Sequence, residues 1–246
     1  MAQLRSELLK QRSTRTNLGL LAAMLGLVLL VVLLHGFTLP VKEAGGRSIQ
    51  LTEIFGRGGM FGTLFGALLG AMSITSEFRH GTIRPTFLTT PRRGHVVAAK
   101  VWAGMLIGAA LGLIAMAVAA GVGSAALAAR GVKLQLDVGD YALLLAGGAM
   151  AAALWAAIGV GVGTVVRNQV PTVVGICTWL LFVEGLLIGE AGSIGDASRY
   201  LPGALGNAAS GQVPALAPVL ALLLLVLYAA AAAAAGWMTT NRRDVA

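Results

Sequence analysis

The stretch Ser76–Lys100, SEFRHGTIRPTFLTTPRRGHVVAAK, gathers Glu77, Arg79, His80, Arg84, Arg92, Arg93, His95 and Lys100 within 25 residues. Both flanks are uncharged: Gly58–Ser76 precedes it and Val101–Ala129 follows it. About 20 apolar residues span the hydrocarbon core of a bilayer. The flanks therefore read as two membrane helices, and the charged stretch as the loop joining them on one membrane face. The loop has internal order. Thr82, Ile83, Phe87 and Leu88 make a small apolar face, with Pro85 near a helical start. Pro91 ends any helix, because the residue before a proline is steered away from the α region. A short helix with an apolar face and a basic rim suits a protein partner. A basic loop facing lipid is the plainer alternative.

Composition agrees with a membrane protein. The chain is 57% hydrophobic and 11% charged, against about 25% charged for a typical soluble domain. Apolar runs predict an all-α polytopic membrane protein with six transmembrane helices, at about 17–37, 57–76, 100–129, 141–166, 170–189 and 213–237. The last is placed late because Pro202, Pro214 and Pro218 interrupt the run before it. Residues 1–16 are too polar to enter the bilayer. Leu4, Leu8 and Leu9 beside Arg5, Arg12 and Arg15 suggest an amphipathic helix lying on the membrane surface, or else a basic tail that only orients the first span.

Six spans put both termini on one side. With that side cytoplasmic, the inner segments hold twelve Lys and Arg against Glu7, Glu77 and Asp244. The outer segments hold six Lys and Arg against six acids. This is the asymmetry of the positive-inside rule, and it predicts a multi-pass protein of the inner (plasma) membrane with both termini cytoplasmic. A pI near 10.6 then reflects attraction to anionic lipid head groups rather than nucleic acid. The first apolar run is too long for a signal peptide and has no A-x-A site close behind it.

Glycines recur at a four-residue step in span two (Gly58, Gly62, Gly66, Gly70) and span three (Gly104, Gly108, Gly112). That spacing lets neighbouring backbones approach closely. Gly159, Gly161 and Gly163 alternate faces and read as flexibility instead. The segment 190–212 is half polar and half apolar, and is either a re-entrant dip covered by protein or a surface loop.

Enzyme signatures are missing. There is no P-loop motif G-x-x-x-x-G-K-[ST], no H-E-x-x-H and no G-x-S-x-G. Ser76 and His80 are four residues apart but no third group completes a triad. The single Cys177 and the scattered His35, His80 and His95 offer neither a disulfide nor a metal site. Glu184 is the one acid inside a span, and ionisable groups there mark pathways or structural pairs. Counting about fourteen residues from the inner end puts it in the outer third of the core, within reach of water or of a group such as Arg199.

The order Glu77, Arg79, Gly81-Thr82, Thr86-Phe87-Leu88, Pro91-Arg92-Arg93 and Lys100 resembles the loop after span two in type-2 ATP-binding-cassette exporter permeases. Glu7, Lys10, Arg12 and Arg15 are similar to the interfacial helix of those permeases, and Trp179…Glu184 followed by Tyr200-Leu201-Pro202 to their region between spans five and six. The resemblance implies a permease without its own ATPase. A separate cassette subunit, which binds ATP and magnesium, docks on the loop and on the interfacial helix. Two permeases, identical or sister chains, pair in the working exporter, and 190–212 becomes a re-entrant outer cap. It also implies coupling roles for Glu77, Arg79, Gly81, Thr82, Thr86, Phe87, Leu88, Pro91 and Lys100. The alternative functions are a self-contained secondary transporter or channel using Glu184, and a membrane enzyme or assembly factor.

Overall fold

The computed structural model describes residues 2–82, 93–188, 195–214 and 216–242. Among them the secondary structure is helical and no strand occurs. Helix α1 is Ala2–Ser13 and α2 is Arg15–Thr38. A short α3, Val41–Ala44, leads to the long α4, Arg47–Arg79, whose early part is a π turn over Gln50–Phe55. Then follow α5, Arg93–Ala129; α6, Val138–Val166; and α7, Gln169–Leu187, with a π turn at Trp179–Val183. A 3-10 turn, Gly195–Tyr200, precedes α8, Pro202–Ala209, and α9 runs over Pro218–Arg242. Six of these, α2, α4, α5, α6, α7 and α9, are long and apolar enough to cross a membrane.

Several boundaries differ from the sequence expectation. Helix α4 starts at Arg47 rather than near 57, and Glu53 and Arg57 pair one turn apart within it. Helix α5 starts at Arg93, which puts Lys100 inside a helix and not at its mouth. Helix α9 begins at Pro218 rather than 213, with proline at the first helical position, where its missing N–H costs nothing. Arg15 opens α2 and is not part of α1. The segment 195–212 is no simple surface loop, since Pro202, Leu205, Ala208, Ala209 and Ser210 are all buried.

Helices α4 and α6 form the centre. Their spanning windows are 78% and 72% buried, against 17% for α2 and α7 and 22% for α9. Glycine makes that centre possible. A Cβ at Gly66 would lie 2.8 Å from the Ala152 carbonyl oxygen, and one at Gly70 would collide with the Ala156 carbonyl. Gly62 faces the backbone of Gly112, and Gly108 faces Ala152 and Ala156. The four-residue ladders thus bind α4, α5 and α6 into one close-packed trio within a single chain.

Gly159, Gly161 and Gly163 are packing residues as well, which corrects the reading of that triplet as flexible. Gly159 and Gly163 meet the Ala67 and Ala71 carbonyls of α4, while Gly161 meets Ala232 of α9. Alternating faces are needed because α6 is covered on both sides.

Gly70→Val should therefore reduce thermal stability sharply, since overpacking costs about 1–3 kcal/mol or more. Gly121→Ala, at a position with nothing within 4 Å, should leave it unchanged. Fluorescence-detected melting of the detergent-solubilised variants checks the contrast.

Candidate functional site

Both ends of the charged loop meet α1 in one ion cluster, buried except for Lys10, which is half exposed. Lys100, on α5, is 1% exposed. Its Nζ donates to Glu7 Oε2 at 2.7 Å, to Glu77 Oε1 at 2.9 Å and to the Ser73 carbonyl at 3.1 Å. Lys10 Nζ reaches Glu7 Oε1 at 3.1 Å and Glu77 Oε1 at 3.2 Å. Glu7 and Glu77 are themselves buried. Two cations and two anions cancel, so the cluster is neutral as a unit.

Each member is placed by its helix. Glu77 lies one turn beyond Ser73 on α4, so the carboxylate and the Ser73 carbonyl line one face. Lys100 lies two turns inside α5 and points across to that face. Glu7 and Lys10, three apart on α1, share its inward side. On α1, Leu9 is 67% exposed and open to the surroundings, whereas Glu7 turns inward and is buried. Breaking a buried ion pair by removing one partner costs about 3–5 kcal/mol, so α1 is tied firmly to the base of the bundle.

Burial pushes the Glu7 carboxyl up, but the charges and hydrogen bonds of Lys100 and Lys10 outweigh it and hold the group below its ordinary value. Burial pulls Lys10 down, and its bonds to Glu7 and Glu77 outweigh that and raise it. Glu77 Oε2 is buried without a hydrogen bond among the described residues.

Around the cluster the chain closes tightly. Gly81 ends α4 at φ 68°, in the left-handed region that favours glycine at a helix end. Arg79 Nη1 donates to Gln169 Oε1 at 3.2 Å, linking α4 to the start of α7. Arg167 stacks over Phe78 at 5.4 Å and donates to the Thr239 carbonyl at 3.2 Å. Thr82 is exposed. A recess of about 590 Å³ lies between α1, α2, α4 and α7, bordered by Lys10, Asn17, Ser76, Arg79 and Gln169. Ser76 and His80 do not pair through their side chains. Ser76 Oγ donates to Met72 and His80 Nδ1 contacts the Ser76 carbonyl, so no nucleophile–base couple forms. Thr86, Phe87, Leu88 and Pro91 lie outside the described residues, as does the side chain of Arg12.

Residues 47–193 match the family model for ABC-2 family transporter proteins. The chain belongs to that family. A comparison with curated proteins finds no match. As an ABC-2 transporter the chain is a multi-pass membrane permease, and its family works with an ATP-binding-cassette ATPase.

At the opposite end of this ABC-2 permease, two polar residues that the sequence did not flag hold the irregular segments. Gln50 is fully buried. Its Nε2 donates to the Ala44 and Lys133 carbonyls, both at 2.9 Å, and its Oε1 accepts from Gln135 N–H at 2.9 Å. Gln212 packs on Gly56, where an added Cβ would also lie 2.7 Å from the Leu51 carbonyl oxygen, and it reaches Gly59 beside Met116. Arg130 donates to the carbonyls of Gly36 and Leu39, at the end of α2. Glu184 is 3% exposed and does not pair with Arg199, correcting that expectation. Its Oε1 accepts from the N–H groups of Gly203 (2.6 Å) and Ala204 (2.9 Å), at the N-terminus of α8. Backbone donors there complement a carboxylate. Arg199 instead lies over Tyr200.

Because Glu7 is held below its ordinary 4.5, its contribution to docking α1 is present above about pH 4.5 and is lost as the pH falls through the lowered value. A nitroxide on Leu9→Cys, in a Cys177→Ser background, should keep one line shape at about pH 5–6 and loosen only as the pH falls below the ordinary 4.5. Glu7→Gln should remove that step, as read by electron paramagnetic resonance line shape.

Proposed function

We propose that this chain is the membrane subunit of an ATP-driven exporter, coupled to its ATPase through the loop 76–100. The observation that carries the reading is the ion cluster in which buried Glu7, Glu77 and Lys100 meet, with half-exposed Lys10 at its rim. A force applied to that loop reaches α4 at Glu77 and α5 at Lys100, and the same charges hold α1. The three helices form one mechanical unit at the membrane edge, which is what a docked ATPase needs in order to move the spans. Arg79 extends the unit to α7 through Gln169.

The remaining assignments follow from charge and family. The end carrying α1, Lys100 and Arg167 is cytoplasmic, since the basic excess collects there. ATP and magnesium bind on the separate cassette subunit, because this chain carries no P-loop motif. Two copies, or this chain and a sister, form the transport path, in the plasma membrane of a bacterial-type cell. The cargo is moved outward and is a drug-like, lipid or other amphiphilic molecule. Membership of a family that depends on an external ATPase favours this reading over a self-contained secondary transporter built on Glu184.

Deleting residues 81–90 should abolish copurification of the cassette ATPase from detergent extracts, with insertion and monodispersity of the permease unchanged. Undiminished copurification would refute docking at this loop.

A further inference from the structure

We propose that Glu184 forms, with the walls of the cavity beside it, a binding site for the ammonium group of an organic amine. The cavity holds about 320 Å³ between α4, α7 and α8, at the lower end of the usual range for small-molecule pockets, about 300–1,000 Å³. Met60, Leu180 and Leu181 give it apolar walls, and Thr63 and Asn207 give it neutral polar groups.

Its wall carries one cation, Arg57, and one anion, Glu184, which do not pair with each other, and Arg57 Nε is buried without a hydrogen bond among the described residues. Arg57 lines the cavity, but its guanidinium is bound to Glu53 one turn away. Glu184 has no cation within ion-pair distance among the described residues. Its Oε1 is committed to the two N–H groups of α8, while Oε2 is buried and accepts no hydrogen bond there. The Trp179 indole interacts with the same carboxylate, yet no bond of normal geometry reaches Oε2.

Anchoring α8 alone does not require this residue. A neutral side-chain oxygen would accept the same two N–H bonds, as Asn and Ser do at most helix starts. A carboxylate kept in a spanning helix with one oxygen spare is costly unless it takes up a proton or a cation meets it. The π turn at Trp179–Val183 ends immediately before Glu184, and such turns re-aim the side chains that follow. An inorganic divalent cation would demand several oxygen ligands at once, and only one carboxylate with neutral groups is offered. An ammonium with three donors, attached to an apolar body, fits both the charge and the walls.

The test uses the purified full-length chain and dansylcadaverine, a fluorescent primary amine, beside its N-acetylated neutral form. Fluorescence titration should show the amine binding about tenfold more tightly than the neutral form, the factor expected of one charge-assisted contact. Glu184→Gln, which keeps the acceptor for Gly203 and Ala204, should erase that preference. Equal affinities in the wild type, or a preference that survives in Glu184→Gln, would overturn the proposal. If Glu184→Gln does not fold, the wild-type comparison alone decides. Repeating the titration in nanodiscs separates two sources of the ammonium. Competition by phosphatidylethanolamine but not phosphatidylcholine assigns it to a lipid head group, and no competition by either assigns it to a free amine. Binding requires no ATPase subunit, so failure here leaves the docking proposal standing.

Discussion

Hydrocarbon supplies no hydrogen bonds, and the need to satisfy every polar group from within the chain shapes this fold. Helices answer it for most of the backbone. Where the backbone leaves a helix, a side chain steps in. Arg130 takes the last carbonyls of α2, Gln50 holds three backbone groups around the start of α4, and Glu184 meets the first N–H groups of α8. Charges answer the same constraint collectively. Lys100 could not remain almost wholly enclosed without Glu7 and Glu77, nor they without it.

That requirement explains why α1 is fixed to the base of the bundle. A surface helix held only by leucines could slide along the membrane. One that contributes Glu7 to a buried pair cannot leave without exposing or stranding charge, a cost of several kcal/mol. The close backbone contacts of α4 with α5 and α6 then carry any displacement at the cluster into the centre of the bundle. Interiors packed this densely shift as units and do not deform continuously.

How much of this was legible in the sequence varied with how local each feature is. The six spans were readable because the length of an uncharged run is a property of consecutive residues. Glu77 and Lys100 stood out because each borders such a run. The partnership of Glu7 with Lys100 did not, since it joins residues 93 apart and depends on α1 folding back under the bundle. The depth of Glu184 could be counted along its helix, but its partners are backbone N–H groups, which leave no side-chain signature. Gln50 and Gln212 carried no signal at all. Each is a neutral residue in a polar-looking stretch, and only the assembled fold shows what it holds. The glycine triplet of α6 misled because alternation suggests looseness when one face is open, whereas here both faces are covered.

The central claim is that the four-residue ion cluster transmits motion and does not merely stabilise. Removing its three buried charges together separates the two roles, because Glu7→Gln, Glu77→Gln and Lys100→Met leave no buried pair broken on one side, and Lys10, half exposed, stays solvated. The decisive measurement is ATP-driven transport by this triple variant, reconstituted with its cassette subunit in liposomes. The account predicts normal cassette binding with transport reduced at least about tenfold, equivalent to losing roughly 1.4 kcal/mol of coupling. Wild-type transport by a stably folded triple variant would contradict it.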